Sequence, residues 1–444
     1  MSVYNEKDYR ETNEELLDFI NRSPSPFHAV DNIKKYLLEN GYEELSEKER
    51  WDRRIEEGGK YFTTRNYSSV IAFEIPEKEC FPGFNIAAAH SDSPTFKIKE
   101  IGEMKVEGNY TKLNVENYGG MIMSTWFDKP LSIAGRVVIK SGDGIKSTLL
   151  NLDRDFCCIP NLAIHMNREI NSGYKFNAQK DMLPLIGNEN ASLAEVISEE
   201  LGVNKDDILS TDLFLYNRQK GTFVGADGEF IMSPKLDDLQ CAFSAMKAIV
   251  ESEKSDSIKV AAVFDNEEVG SGTKQGACST FLYDTLTRIN LALNGNGEDF
   301  IRRLSDSFMV SCDNAHAVHP NYPDKTDPTN RNYLNKGLVI KFNANQKYTT
   351  DAISAAVFKR ICERADVAYQ VFHNRSDMAG GSTLGNLSNA HVSLNTVDIG
   401  IPQLAMHSSC ETAGSKDTYD TVKALKEFFS VSVTETESGE YSIL

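Results

Sequence analysis

The first apolar positions to recur along the chain are Leu16, Leu17 and Ile20, at helical spacing, and the Pro24/Pro26 pair closes that run. Val30, Ile33, Leu37 and Leu38 follow and predict one face of a second helix. The pattern then changes. Phe84 to Ala89 (FNIAAA) is a short unbroken apolar run that ends at His90-Ser91-Asp92. Val260 to Phe264 (VAAVF) runs into Asp265-Asn266-Glu267-Glu268, Phe308 to Val310 runs towards Asp313, and Leu404 to Met406 runs into His407. Apolar runs without polar alternation predict strands of a parallel sheet covered by helices on both faces. Helical patterns lie between them: Leu239, Phe243, Met246 and Val250 share a face, as do Ile353, Val357, Ile361 and Ala365. This alternation, over roughly the last 200 residues, predicts an α/β fold with a mixed, largely parallel sheet.

The stretch from 95 to 233 has another texture. It is rich in β-branched residues and glycine, as in Ile133 to Ile139 (IAGRVVI), and carries one clear helical pattern, near Ala191 to Leu201. The expectation is a discontinuous α/β domain, 1–94 and 234–444, interrupted by a β-rich domain, 95–233.

Composition narrows the function classes. The chain has 444 residues, 40% hydrophobic and 25% charged, which is globular and long enough for two domains. Its 47 Lys+Arg against 65 Asp+Glu give a net charge of −18, with no long basic run, so a non-specific nucleic-acid binder is disfavoured. No apolar stretch approaches the roughly 18–20 residues that span a bilayer. Met1 to Arg10 is polar and charged, without the apolar core of a signal peptide, so a cytoplasmic location is expected. The eight cysteines (Cys80, Cys157, Cys158, Cys241, Cys278, Cys312, Cys362 and Cys410) show no CxxC spacing and read as free or buried thiols.

The chain lacks an HExxH helix, a GxxxxGK(S/T) phosphate loop and a GxSxG elbow. Gly270, Gly272 and Gly276 are spaced for a tight turn, not for a dinucleotide. What remains is a set of acids and histidines at the ends of apolar runs: His90, Glu267, Glu268, Asp313 and His407. In an open α/β sheet, ligands bind beyond the carboxyl ends of the strands, where residues distant in sequence converge. Asp237 opens a helix and reads equally as an N-cap acid. Taken singly, each is explained by a hydrogen-bonded strand end or a solvated loop; together they suggest a centre. Imidazoles and carboxylates without thiolates suit zinc, manganese or cobalt in a catalytic site. Two histidines and three carboxylates could hold two such ions. The Glu267-Glu268 pair then offers one base and one ligand, because neighbouring side chains of an extended loop point opposite ways.

At these residues the sequence resembles the aspartyl aminopeptidase/aminopeptidase I family of dinuclear zinc peptidases. The matching segments run from Asn13 to about Phe429: SPSPFHAV (Ser23–Val30), AAHSDSP (Ala88–Pro94), TWFDKPLSIAGR (Thr125–Arg136), IPNLAIHMNR (Ile159–Arg168), KLDDL (Lys235–Leu239), DNEEVGS (Asp265–Ser271), DNAHAVHPNY (Asp313–Tyr322) and QLAMHS (Gln403–Ser408). The resemblance implies one zinc site with His90 and Asp313, a second with Glu268 and His407, and Asp237 bridging them. It implies Glu267 as general base and Asp92 as the acid that orients His90. It further implies peptide substrates, a β-rich dimerisation domain, and dimers built into a tetrahedral dodecamer. His165 would reach into the partner subunit's site; on the residues alone it is a packed histidine of the β domain. Lys341 would stand near the substrate pocket and pair with an acidic side chain; on the residues alone it is a solvated strand-end lysine. The chain departs from the aspartyl branch, which reads RLDN where Lys235 to Asp238 read KLDD, and WFDRDL where Trp126 to Leu131 read WFDKPL. The ligand positions are untouched, but the choice between acidic and neutral N-terminal residues stays open. So do a deacylase or carboxypeptidase on a similar fold and a non-catalytic interaction protein.

Overall fold

Unbroken apolar segments become the centre of a nine-stranded mixed sheet, in the order Glu43–Glu44, Lys60–Arg65, Ser69–Glu74, Ile258–Phe264, Phe84–His90, Phe308–Cys312, Asn395–Gly400, Leu338–Phe342, Tyr369–His373. The computed structural model describes residues 6–77 and 81–444; Cys80 and the first five residues lie outside the described residues. Strands Ile258–Phe264, Phe84–His90, Phe308–Cys312 and Asn395–Gly400 pair in parallel, and the first three are buried at every position. A strand covered on both faces has no solvent side on which polar residues could alternate, hence the continuous runs. One face packs under helices Glu6–Asn21, Pro26–Glu39, Leu236–Glu251, Ala352–Arg364 and Asp417–Ser430. The other packs under Phe281–Ala292 and Gly297–Ser305. Phe308 and Phe428 meet edge to face at 6.0 Å within the first layer, both fully buried; each such side chain contributes about 1.5–3 kcal/mol.

Three local expectations need correction. Pro26 does not end the first helix, which stops at Asn21; it occupies the first turn of the second helix, where its missing N–H costs nothing. Leu38 and Ile353 are 52% and 41% exposed. One residue on from Leu37 turns about 100° around a helix, so Leu38 leaves the buried stripe. The run Leu404 to Met406 is not a strand of the large sheet. Pro402–Leu404 is a short strand of a separate five-stranded sheet, and Ala405 turns to φ +56, which ends it.

A six-stranded antiparallel sheet draws all its strands from the β-rich stretch: Gly144–Asn151, Leu131–Ser141, Ile208–Asn217, Thr95–Val106, Tyr110–Tyr118 and Leu185–Asn188. It has a core of its own, including Phe96, Leu113, Trp126, Ile133 and Leu213. The helix Leu193–Leu201 is capped by Ser192, whose side chain accepts the Glu195 N–H, and ends at Gly202 with φ +63. Strands Thr222–Val224 and Phe230–Ser233 lie outside this sheet: they pair with each other, and Phe230–Ser233 pairs on its other side with Glu411–Gly414. Among the described residues, no helix is long and apolar enough to cross a membrane.

Candidate metal centre

Three adjacent parallel strands end at one level. His90 pairs with Phe264, and Ala88 with Ser311, so His90, the turn Asp265–Glu268 and Asp313 emerge side by side. Asp237 arrives from the start of helix Leu236–Glu251, where it and Asp238 are not helical (φ −83, ψ 108 and φ −122, ψ 23). That departure turns a first-turn acid into the site. His407 arrives from the loop after Leu404, itself at φ +67.

The side chains meet at Asp237. Its Oδ1 lies 3.5 Å from His90 Nε2 and its Oδ2 lies 3.4 Å from His407 Nε2. His407 Nε2 is also 3.5 Å from Glu268 Oε2, and Glu267 Oε2 is 4.0 Å from His90 Nε2. Three overlapping groups have ligand atoms within 4.8 Å of one another: His90, Asp237, Asp238 and Asp313; Asp237, Glu268 and His407; and His90, Glu267 and Glu268.

This donor set fits a divalent cation. Asp237 Oδ1, Asp238 Oδ1 and Glu268 Oε1 are buried without a hydrogen-bond partner, a costly state that a coordinated ion relieves. Without an ion, burial pushes the Glu267 carboxyl up to about 8, helped by Asp313, Asp92 and Asp237. Burial, then Asp237, raises Glu268 well above the carboxylate range, and burial raises Asp313. Burial also opposes the charge on the two imidazoles. The carboxylates outweigh it, holding His90 well above its usual value and His407 at about 10. Asp237 resists burial through both imidazoles and is held low. So much crowded negative charge in a buried place calls for positive charge, and imidazole with carboxylate is the donor chemistry of catalytic zinc.

An outer ring fixes these groups. His90 Nδ1 is 3.1 Å from the Asp92 carbonyl and 3.3 Å from its carboxylate. Asp92 Oδ1 accepts the Glu267 N–H at 3.1 Å, and Oδ2 accepts the Glu268 N–H at 3.2 Å and the Tyr118 hydroxyl at 2.8 Å. Tyr118 in turn accepts from Asn266 Nδ2 at 2.8 Å. His407 Nδ1 lies 2.9 Å from the Gly120 carbonyl. Tyr118 and Gly120 come from the six-stranded sheet and its exit, so that sheet reaches the centre. Gly119 allows the approach: it sits at φ +76, and a Cβ there would be 3.1 Å from Glu268 Cβ.

A cleft of about 690 Å³ opens over the centre, lined by His90, Asp237, Glu267, Glu268, Asp313 and His407. Lys341 also lines it, 2% exposed, but its Nζ donates to the Asp313 carbonyl at 2.7 Å and lies 3.7 Å from Asp313 Oδ1. It is therefore not the solvated lysine of one reading, and its first partner is the protein. His165 stands apart, exposed in a turn closed by the Met166 N–H on the Ala163 carbonyl, and does not line the cleft of its own chain. Sequence reasoning missed Tyr118, Gly120 and Asp238. The first two lie in a strand exit with no motif, and Asp238 was masked by its neighbour.

Comparison with known proteins follows the same lines. The profile of the aminopeptidase I zinc metalloprotease (M18) family matches residues 19–429. A probable M18 family aminopeptidase 2 of Clostridium novyi (strain NT) is 49% identical over 427 residues, 94% of this chain and 98% of that protein. A chain of the Ape4 and Nbr1 complex superposes with a TM-score of 0.92 at 38% identity, covering 97% of this chain and 88% of that one. The S. cerevesiae mApe1 dodecamer gives 0.83 at 28% identity, covering 95% and 97%. With the profile spanning nearly the whole chain, and a relative at that identity over its full length, the chain belongs to the aminopeptidase I zinc metalloprotease (M18) family and is a zinc metallo-exopeptidase.

Proposed function

We propose that the chain is a cytosolic two-zinc aminopeptidase that removes one N-terminal residue from peptides. The observation that carries this reading is Asp237, with one carboxylate oxygen turned to each imidazole at 3.5 and 3.4 Å. His90, Asp237 and Asp313 would hold one ion, and Asp237, Glu268 and His407 the other; cobalt or manganese suits the same donors. Zinc bound there supplies polarisation of the scissile carbonyl and a more acidic water. Glu267, beside the centre and open to the cleft, would take the proton from the attacking water and pass it to the leaving amine. Asp92 keeps the base and a ligand in place by accepting the Glu267 and Glu268 N–H groups. A chelator is expected to abolish turnover and zinc to restore it. A peptide with an acetylated N-terminus is expected to be inert, and its hydrolysis would favour a deacylase.

The first specificity reading is an acidic N-terminal residue, supported by Lys341 and Lys347 in the cleft wall. One observation favours a neutral, apolar residue instead: Lys341 is already bound to Asp313, and Tyr348, Phe372 and Met406 supply apolar lining. Chromogenic substrates with Asp, Glu, Leu, Lys and Met decide. The acidic reading expects Asp or Glu to lead in kcat/KM, and a lead for Leu or Met would reverse it.

Residues 95–233 are proposed as an inserted dimerisation domain, with 1–94 and 234–444 catalytic. A separate sheet and core support the insertion, while the pairing of Phe230–Ser233 with Glu411–Gly414 favours a return crossing earlier than 233, soon after Asn217. Exposed Leu162, Ile164 and Met166 flank His165, as a surface meant for a second copy would. Assembly of dimers into a dodecamer has its support in the yeast dodecamer of the same fold. In this reading His165 enters the partner's site and stabilises the oxyanion. His165→Ala is expected to keep zinc and assembly and lose about 10²–10³ in turnover. Mixing it with Glu267→Gln under subunit exchange should restore activity, because one hybrid site carries neither defect. No recovery, with subunit exchange demonstrated, would mean that His165 serves its own subunit or only packs.

A further inference from the structure

Glu411 belongs to none of the metal-binding groups, yet it touches the main chain of two of their members. It is 1% exposed, at the start of strand Glu411–Gly414. Oε2 accepts the Asp237 N–H at 3.0 Å, and Oε1 accepts the His407 N–H at 2.7 Å. Gln403 Nε2 adds a longer bond to Oε1 at 3.4 Å. Both amides need this partner. Asp237 lies in the broken first turn of its helix, where the N–H has no carbonyl one turn back. His407 sits at φ +67, two residues after Ala405 at φ +56, a region that non-glycine residues hold only when their surroundings enforce it.

We propose that Glu411 is a positioning residue for the metal centre: one buried carboxylate holds the Asp237 main chain through one oxygen and the His407 main chain through the other. The ligand that joins the two ion sites and the imidazole facing it are thereby set at a fixed separation before any ion arrives. A carboxylate is required because both bonds come from N–H donors and only it offers two acceptor oxygens. In Glu411→Gln the amide oxygen would turn to the side with two donors, His407 and Gln403. Its NH2 would then face the Asp237 N–H, and the shared ligand would lose its anchor.

This inference rests on the reading of Asp237 and His407 as zinc ligands, and the experiment separates the two. Zinc affinity is measured by competition with a chromogenic chelator on the unmodified enzyme, Glu411→Gln and Glu411→Asp. Turnover is followed as free zinc is raised. Partners that orient ligands typically account for about 10–100-fold in metal affinity. Glu411→Gln is expected to show a loss of that size, with turnover recovering at high zinc and KM unchanged, since nothing that touches substrate has been altered. Glu411→Asp keeps both oxygens on a shorter arm and is expected to fall between. Unchanged zinc affinity in either variant, or a turnover defect that zinc does not rescue, would overturn the proposal. No zinc uptake by the unmodified enzyme would overturn the metal reading with it. Should neither variant fold, amide exchange on the metal-free unmodified enzyme decides: slow exchange at Asp237 and His407 supports the anchoring, and fast exchange there beside protected neighbours overturns it.

Discussion

Glu267→Gln is expected to lower turnover by about 10²–10⁴ while zinc content stays at the unmodified level, the range typical of a general base. The substitution keeps the shape of the side chain and its place beside His90, where Oε2 lies 4.0 Å from Nε2. It removes only the capacity to accept a proton. The Glu267 N–H bond to Asp92 is a main-chain bond and survives. The neighbouring Glu268, turned to His407, keeps its carboxylate, so the ligand set is undisturbed. Steady-state kinetics with a chromogenic substrate, beside zinc analysis of the same sample, reads both halves. Near-normal turnover would take Glu267 out of the base role. Lost turnover with lost zinc would make it a ligand, a role its place in the group with His90 and Glu268 also permits.

The legible and illegible parts of this protein differ for physical reasons. Phe84–His90 and Ile258–Phe264 could be read as central strands because burial on both faces removes polar alternation, and a polar residue just past such a run marks the rim. His90, Glu267, Glu268 and Asp313 stood out that way. Asp237 did not, because an acid at a helix start is ordinary, and only the non-helical angles at 237 and 238 turn it inward. Leu404 to Met406 misled for the converse reason: apolar residues in a loop with positive φ look like a strand until the backbone is seen. Tyr118, Gly120 and Glu411 carried no signal. Gly120 acts through a carbonyl and Glu411 on main-chain amides, and the contacts of Gly120 with His407 and of Glu411 with Asp237 join segments far apart in sequence. The oligomer and the role of His165 came from resemblance alone, and the exposed turn of a single chain does not replace that argument.

Asp237→Asn is expected to fail differently from Glu267→Gln, losing zinc and activity together. An asparagine has one carbonyl oxygen and one NH2, so it can serve one ion and presents N–H donors to the other. The carboxylate oxygens now turned to His90 and His407 are thereby reduced to one acceptor. Removing one member of a buried charge pair typically costs about 3–5 kcal/mol, or about 10²–10⁴ in zinc affinity. The metal-free protein should respond less. Asp237 is held ionised by its two imidazoles, which favours the native charge, but it also crowds Glu268 and Asp313, which disfavours it. These terms oppose one another, so the metal-free thermal midpoint should move little. The rise in that midpoint on adding zinc should shrink, because stabilisation by a ligand follows its affinity for the folded state. Thermal scans with and without zinc, on the unmodified enzyme and on Asp237→Asn, give the comparison. An equal zinc-dependent rise in both proteins would mean that Asp237 is not shared between two ions. The assignment of the centre would then have to be rebuilt around Asp238, the other carboxylate in the group with His90 and Asp313.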